Sequence, residues 1–174
     1  TRKTFSSERY SIWTMQSCYH NLPTINGHDQ HNGEKFKATD VHFKDTKQST
    51  WFSADIANAY VAEANIKSWI RTYQLKRKKE FIISDRWLLN KTTGETVLNF
   101  MTACDIQEGS LFLKRDDVRI QIVYDKKQLS PTIETIKIDD SSLLSSWTNG
   151  ILYRIRFSII NPQQKGKCKI SLRP

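Results

Sequence analysis

Three stretches of this chain alternate their residues with a period of two. In VRIQIVYD (118–125), Val118, Ile120, Ile122 and Tyr124 share one side, opposite Arg119, Gln121 and Val123. In ILYRIRFSII (151–160), Ile151, Tyr153, Ile155, Phe157 and Ile159 oppose Leu152, Arg154, Arg156 and Ser158. In KCKISL (167–172), Cys168, Ile170 and Leu172 oppose Lys167, Lys169 and Ser171. A period of two is the repeat of a strand with one buried face, and a helix cannot bury such a pattern. The spacers are turn formers: Asn26-Gly27, Asn32-Gly33, NKTTGE (90–95), EGS (108–110), Asn149-Gly150 and NPQQKG (161–166). SWIRTYQLKRKKEFIISDRWLL (68–89) reads as one long hairpin, with Trp69, Arg71, Tyr73 and Leu75 on one face and a basic tip. Only ADIANAYVAEA (54–64) has helix formers without alternation. The expected fold is all-β: a large antiparallel sandwich, supersandwich-like, with at most a short helix near 54–64.

A chain of 174 residues is long enough for a substantial core and is expected to form a single sandwich domain over 1–174. No run approaches the length of a membrane-spanning helix, which argues against a membrane protein. The chain begins at Thr1 without an initiator Met or a signal-peptide pattern, and is expected to be a piece of a longer protein. Its formal charge of +9 and pI of about 9.5 favour acidic partners. The excess gathers in 64–79, where Lys67, Arg71, Lys76, Arg77, Lys78 and Lys79 occur without an acid. That cluster reads either as a solvated hairpin tip or as an anion-contacting edge. Nucleic acid is disfavoured as the partner, because the aromatics look core-facing and no RNA-binding motif occurs. Cys18, Cys104 and Cys168 are odd in number, far apart and outside any CxxC, which excludes a disulfide framework or zinc ribbon. Each lies in an apolar, strand-like run and is expected to be a buried free thiol.

The residues carry little catalytic chemistry of their own. His28, Asp29 and His31 stand close together in a turn-rich loop, but zinc needs three or four donors that converge. Solvated loop residues are the simpler reading. HExxH, GxSxG, P-loop and GxGxxG motifs are absent. Asp116-Asp117 and Asp139-Asp140 fall at turns.

IWTMQSCYHNLPTINGHDQ (12–30) nevertheless resembles the heparinase II/III-like polysaccharide lyases. In that family a strand ends in His-Asn and an apolar run leads to Asn-Gly and a Gln, here His20, Asn21, Asn26, Gly27 and Gln30. FSADIANAY resembles the family's D-[LI]-x-x-AY segment, with Asp55, Ile56, Ala59 and Tyr60. Trp69, Arg71 and Asp85 resemble the next stretch, where a Trp and an Arg precede a basic hairpin that returns to an Asp. WTNGILYRIRFSI also fits. The likeness keeps its order over nearly the whole chain.

The resemblance implies the later, C-terminal part of a sandwich that follows an N-terminal α/α toroid. By position, His20 matches the last histidine of the family's zinc site. The family's H-x-H-x-D-like motif and its toroid, with the catalytic tyrosine, have no counterpart here. The implication is that His20 is a metal ligand only in a longer protein, and that the isolated chain holds no zinc. The implied reaction is β-elimination on a uronic-acid-containing polysaccharide, with this chain alone inactive and contributing no catalytic residue. Arg9, Tyr10, Lys67 and Arg71 are the candidate substrate contacts. The implied partners are an acidic polysaccharide and the parent's toroid, and the implied location is secreted or periplasmic. The alternative is a non-catalytic sandwich that binds acidic glycans or a partner domain. A sandwich cut partway is also expected to show an unpaired edge or apolar surface near its N-terminal side.

Overall fold

The structure, a computed structural model, describes residues 2–107, 109 and 111–174. The turn expected at 108–110 involves Glu108 and Ser110, which lie outside the described residues, as does Thr1. Twelve strands form among those described: β1 (Pro23–Thr24), β2 (Thr39–Asp45), β3 (Ser49–Asp55), β4 (Ile66–Lys76), β5 (Glu80–Leu89), β6 (Val97–Thr102), β7 (Asp105–Gln107), β8 (Phe112–Arg115), β9 (Val118–Tyr124), β10 (Leu129–Lys137), β11 (Ile151–Ile159) and β12 (Lys165–Arg173). They make two sheets, ordered β1-β6-β11-β10 and β2-β3-β4-β5-β12-β9-β8-β7, in which every pairing is antiparallel.

The alternating stretches supply the strands and the core. Ile155, Phe157 and Ile159 of β11 face Cys168 and Ile170 of β12, with Trp69, Trp87 and Ile122 in the same buried cluster. Phe157 of the smaller sheet meets Tyr124 of the larger edge-on at 5.0 Å, so the two sheets close directly on each other. The long hairpin pairs Trp69 with Trp87, whose rings stack at 5.0 Å. Opposite Trp87 on β12 sits Gly166, where a Cβ would lie 2.2 Å from the Trp87 ring. Trp87 cannot easily retreat, because its Nε1 donates to the Gln163 carbonyl at 3.0 Å. Gly166→Ala is therefore expected to destabilise the fold by about 1–3 kcal/mol through overpacking. Urea unfolding followed by tryptophan fluorescence would show it, and an unchanged midpoint would refute the steric account.

The short helix allowed near 54–64 takes the form of two 3-10 turns, Ala57–Ala59 and Ala62–Ala64, separated by the extended Tyr60 and Val61. Among the described residues the single α-helical turn lies at Ser141–Leu144, where Asp140 caps the Ser142 and Leu143 amides. Those amide bonds hold the Asp140 carboxyl below its usual range. Residues 2–19 are not strand-like. They run through successive 3-10 turns, with amide bonds such as Arg9 to Ser6, Ile12 to Arg9 and Met15 to Ile12. This segment lacks the two-residue alternation that would bury one face of a strand, so its backbone is satisfied locally. Cys18, at the end of this segment, and Cys104, in the bend between β6 and β7, are only half-buried, and Cys168 alone of the three cysteines is in the core.

The larger sheet overhangs the smaller one. On its core-side face, β2, β3 and β4 leave Val41, Phe43, Phe52 and Leu75 exposed, Phe43 at 68%. In the smaller sheet β10 pairs with β11 on one side only, and its Pro131 is a residue that tolerates such an edge. The outer side of β6 is largely met by residues 21–24. β1 pairs with Val97 and Leu98, the Leu22 carbonyl accepts from Asn99, and Asn21 Oδ1 accepts the Met101 amide at 2.8 Å.

Candidate functional site

His20 follows the 3-10 turn Ser17–Tyr19 as its C-cap, not the end of a strand. It is exposed, and its Nε2 lies 3.1 Å from the Thr14 carbonyl. With Nε2 protonated, this bond leaves Nδ1 as the lone-pair nitrogen. The imidazole borders a pocket of about 280 Å³ walled by Trp13, Tyr19, Asn21, Met101, Trp147 and Leu152. Trp13 meets Tyr19 edge-on at 5.2 Å. Aromatic walls beside an imidazole and an amide suit a ring-shaped polar ligand.

Two arginines from different sheets hold the segment that carries His20. Arg154 of β11 lies over the Tyr19 ring at 4.3 Å, donates to the Cys18 carbonyl and pairs with Glu134. Arg71 of β4 donates from Nη1 to the Asn21 carbonyl at 2.8 Å. The rest of its guanidinium is bound by Asp85, Nε to Oδ1 at 2.8 Å and Nη2 to Oδ2 at 2.9 Å. Asp85 Oδ1 also accepts from Trp69 Nε1 at 2.6 Å. Burial alone would lower the Arg71 pKa, but Asp85 outweighs it and the net direction is up.

Arg71 was expected as an accessible contact on the hairpin surface. It is instead 1% exposed with its donors engaged inside the protein. The reason is parity: Arg71 shares the strand face of Trp69, which is the core side. Arg9 and Tyr10 lie on the exposed 3-10 turn Ser7–Ser11, stacked only on each other at 6.0 Å, and do not line the His20 pocket. Lys67 is exposed near the start of β4 and does not line it either. The structure thus does not gather the five sequence candidates at one place. Trp13, Tyr19 and Trp147, which it does bring to His20, carried no spacing signal, since Trp147 arrives from the far end of the chain.

The other resemblance motifs are frame rather than reactive groups. Asn26 is buried with φ +51° and bonds from its side chain to the Ala64 and Lys91 carbonyls and the Thr93 amide. Asp55 Oδ1 accepts the Ala57 and Trp69 amides. Tyr60 Oη donates to the Pro23 carbonyl at 2.5 Å, and burial pushes its phenol far up. Cys18 is pushed up to about 11, first by burial and then by its hydrogen bond to Asp29, so it is an unreactive thiol at neutral pH.

Metal chemistry finds little support within the chain itself. Among the described residues, no group of three or more His, Cys, Asp or Glu side chains could hold a metal ion. In the 28–31 loop, Asp29 accepts from Thr24 Oγ1, and His31 bonds the Asn32 carbonyl and packs on Phe36. His20 brings one donor where zinc needs three or four. These residues do not by themselves fit a zinc site.

No protein-family model matches the chain, and no curated protein matches it. Its fold is that of solved lyases. Heparan sulfate lyase HepC from Pedobacter heparinus superposes with a TM-score of 0.67 at 15% identity, over 95% of this chain and 25% of that one. A mutant of HepC gives 0.68 at 15% identity, over 97% and 26%. A heparinase III, the BT4657 gene product with methylated lysines, gives 0.62 at 13% identity, over 96% and 25%. The chain therefore spans about a quarter of the length of each of these three structures.

Proposed function

We propose that this chain is the C-terminal sandwich portion of a longer polysaccharide lyase that acts by β-elimination on a uronic-acid-containing polysaccharide. The observation that carries the reading is the fold match, which takes in almost all of this chain and only a quarter of each lyase. The overhanging apolar strip at Val41, Phe43, Phe52 and Leu75 supports it, because such a strip in a longer chain would be covered by another part of the protein, such as a toroid. The reaction needs a neutralised uronate carboxylate, a base for the α-proton and an acid for the leaving oxygen. In this reading the chain's own share is positioning. Arg71 and Arg154 fix the 17–21 segment, and that segment presents His20 beside an aromatic pocket. Zinc at His20 would require further ligands from outside this chain, and no step of the reaction is assigned to it. Because such polysaccharides are extracellular, the reading places the parent in a secreted or periplasmic setting.

The test is ultraviolet absorbance of unsaturated uronide released from heparin, heparan sulfate, chondroitin sulfate and alginate. The isolated chain should show no turnover, and a longer protein containing it should show turnover on at least one of them. Activity of the isolated chain would overturn the assignment of catalytic groups to other segments. A longer protein inactive on all four would sink the lyase reading. A non-catalytic glycan-binding sandwich would then be the better account, for the reason developed below.

A further inference from the structure

The face of the larger sheet turned away from the core is not a flat solvated surface. Across β2, β3, β4, β5, β12 and β9 it forms an open groove of about 890 Å³. The groove exists because a twisted sheet of many strands curls. Its floor mixes hydroxyls from Ser53, Thr72, Ser84 and Ser171 with the apolar surfaces of Trp51, Ile70 and Val123. Along β12, Lys165, Lys167, Lys169 and Arg173 point to this side, because Cys168, Ile170 and Leu172 take the core side. Neighbouring lysines on such a strand stand about 6.8 Å apart.

The charge arrangement calls for a ligand. Lys167 is the direct cross-strand partner of Arg86, and both line the groove. Like charges directly opposite on a strand pair are destabilising. Among the described residues, none of Arg86, Lys167 and Lys169 forms an ion pair, whereas Arg173 is held by Glu80. Three cations left unneutralised side by side in a groove make a seat for an anion. Asp40, Asp55 and Asp125 also line the groove. Carboxylates among the cations accept hydrogen bonds from sugar hydroxyls, which a polysaccharide carries on every ring and a nucleic-acid backbone largely lacks. One indole, with no row of aromatics, also offers no stacking track for bases.

We propose that this groove binds an extended anionic polysaccharide, with Arg86, Lys167 and Lys169 taking its carboxylate or sulfate groups and the hydroxyl and carboxylate side chains taking its neutral hydroxyls. The proposal rests on the acidic-glycan part of the function proposed above. It locates binding on the opposite face of the sheet from the core and away from the His20 pocket.

The probe is a size-fractionated, fluorescently labelled heparan sulfate oligosaccharide, read by polarisation with the 174-residue chain. The combined Arg86→Gln, Lys167→Gln and Lys169→Gln variant should bind about tenfold to hundredfold more weakly, as expected for three exposed charge contacts. Its thermal unfolding should be unchanged or raised, because a repulsive pair is removed. The combined Lys78→Gln, Lys79→Gln and Lys91→Gln variant removes the same charge outside the groove and should change affinity by less than about threefold. Equal loss in both variants would mean diffuse attraction and overturn the groove, leaving the lyase reading intact. No binding by the unaltered chain would overturn both the groove and the glycan-binding alternative, while a turnover assay on a longer protein would still decide the lyase reading. Displacement by single-stranded DNA as effectively as by unlabelled heparan sulfate would overturn the choice of a polysaccharide.

Discussion

Asp85→Ala is expected to lower the unfolding free energy by about 3–5 kcal/mol, the range for removing one partner of a buried ion pair. The environment leaves Arg71 no alternative. The residue is 1% exposed, and Asp85 takes both Nε and Nη2. Without the carboxylate, a buried cation keeps only the Asn21 carbonyl, and Trp69 Nε1 also loses its acceptor. Urea denaturation should show the midpoint fall with the slope retained. The double variant Arg71→Met with Asp85→Leu removes both charges together and should recover much of the loss. It should not restore the hold on residue 21, so amide hydrogen exchange around His20 should stay faster than in the unaltered chain. A single Asp85→Ala change worth less than about 1 kcal/mol would show that solvent reaches the pair, contrary to its burial.

That pair also shows where the sequence was legible and where it was not. The alternation at 118–125, 151–160 and 167–172 placed three strands and their core faces, because a period of two has one burial solution. The same parity put Arg71 on the face of Trp69. Charge led to the opposite expectation of a surface contact, since an arginine is rarely buried without a partner and the partner lies across the hairpin. The run around Cys18 misled because its apolar content suggested a strand, and content without alternation decides nothing. The pocket beside His20 was invisible for a different reason. Trp13 and Trp147 come to line one pocket only through tertiary packing, and no local pattern records it. The groove cations, by contrast, were in view as Lys167 and Lys169 on the polar side of KCKISL. What the sequence lacked was the register that sets Arg86 opposite Lys167.

The second large effect belongs to Asn26, which the sequence marked as a turn residue and as part of the resemblance, with no sign of its buried bonds. Asn26→Ala is expected to destabilise by about 3–5 kcal/mol, from a left-handed backbone without its preferred residue and from buried polar groups left without partners. The side chain donates from Nδ2 to the Ala64 and Lys91 carbonyls at 2.7 and 2.9 Å, and Oδ1 accepts the Thr93 amide at 3.1 Å. Its backbone amide is itself bound by Thr96 Oγ1. One amide side chain thus joins the 23–28 turn to the end of the 3-10 turn at Ala64 and to the loop before β6. Gly94 closes over the same point, with room for no Cβ, since one would come 2.8 Å from the Asn26 carbonyl oxygen. Two substitutions separate the causes. Asn26→Gly removes the side-chain bonds but suits the φ of +51°, so it should recover about 1 kcal/mol relative to alanine. Asn26→Asp keeps the acceptor for Thr93 but turns a donor toward two carbonyls into a negative charge, and should be no better than alanine. Chemical denaturation of the three variants would read the order directly. Asn26→Asp matching the unaltered chain would show that the amide donors carry no weight, and the Asn-Gly pair would then be an ordinary turn.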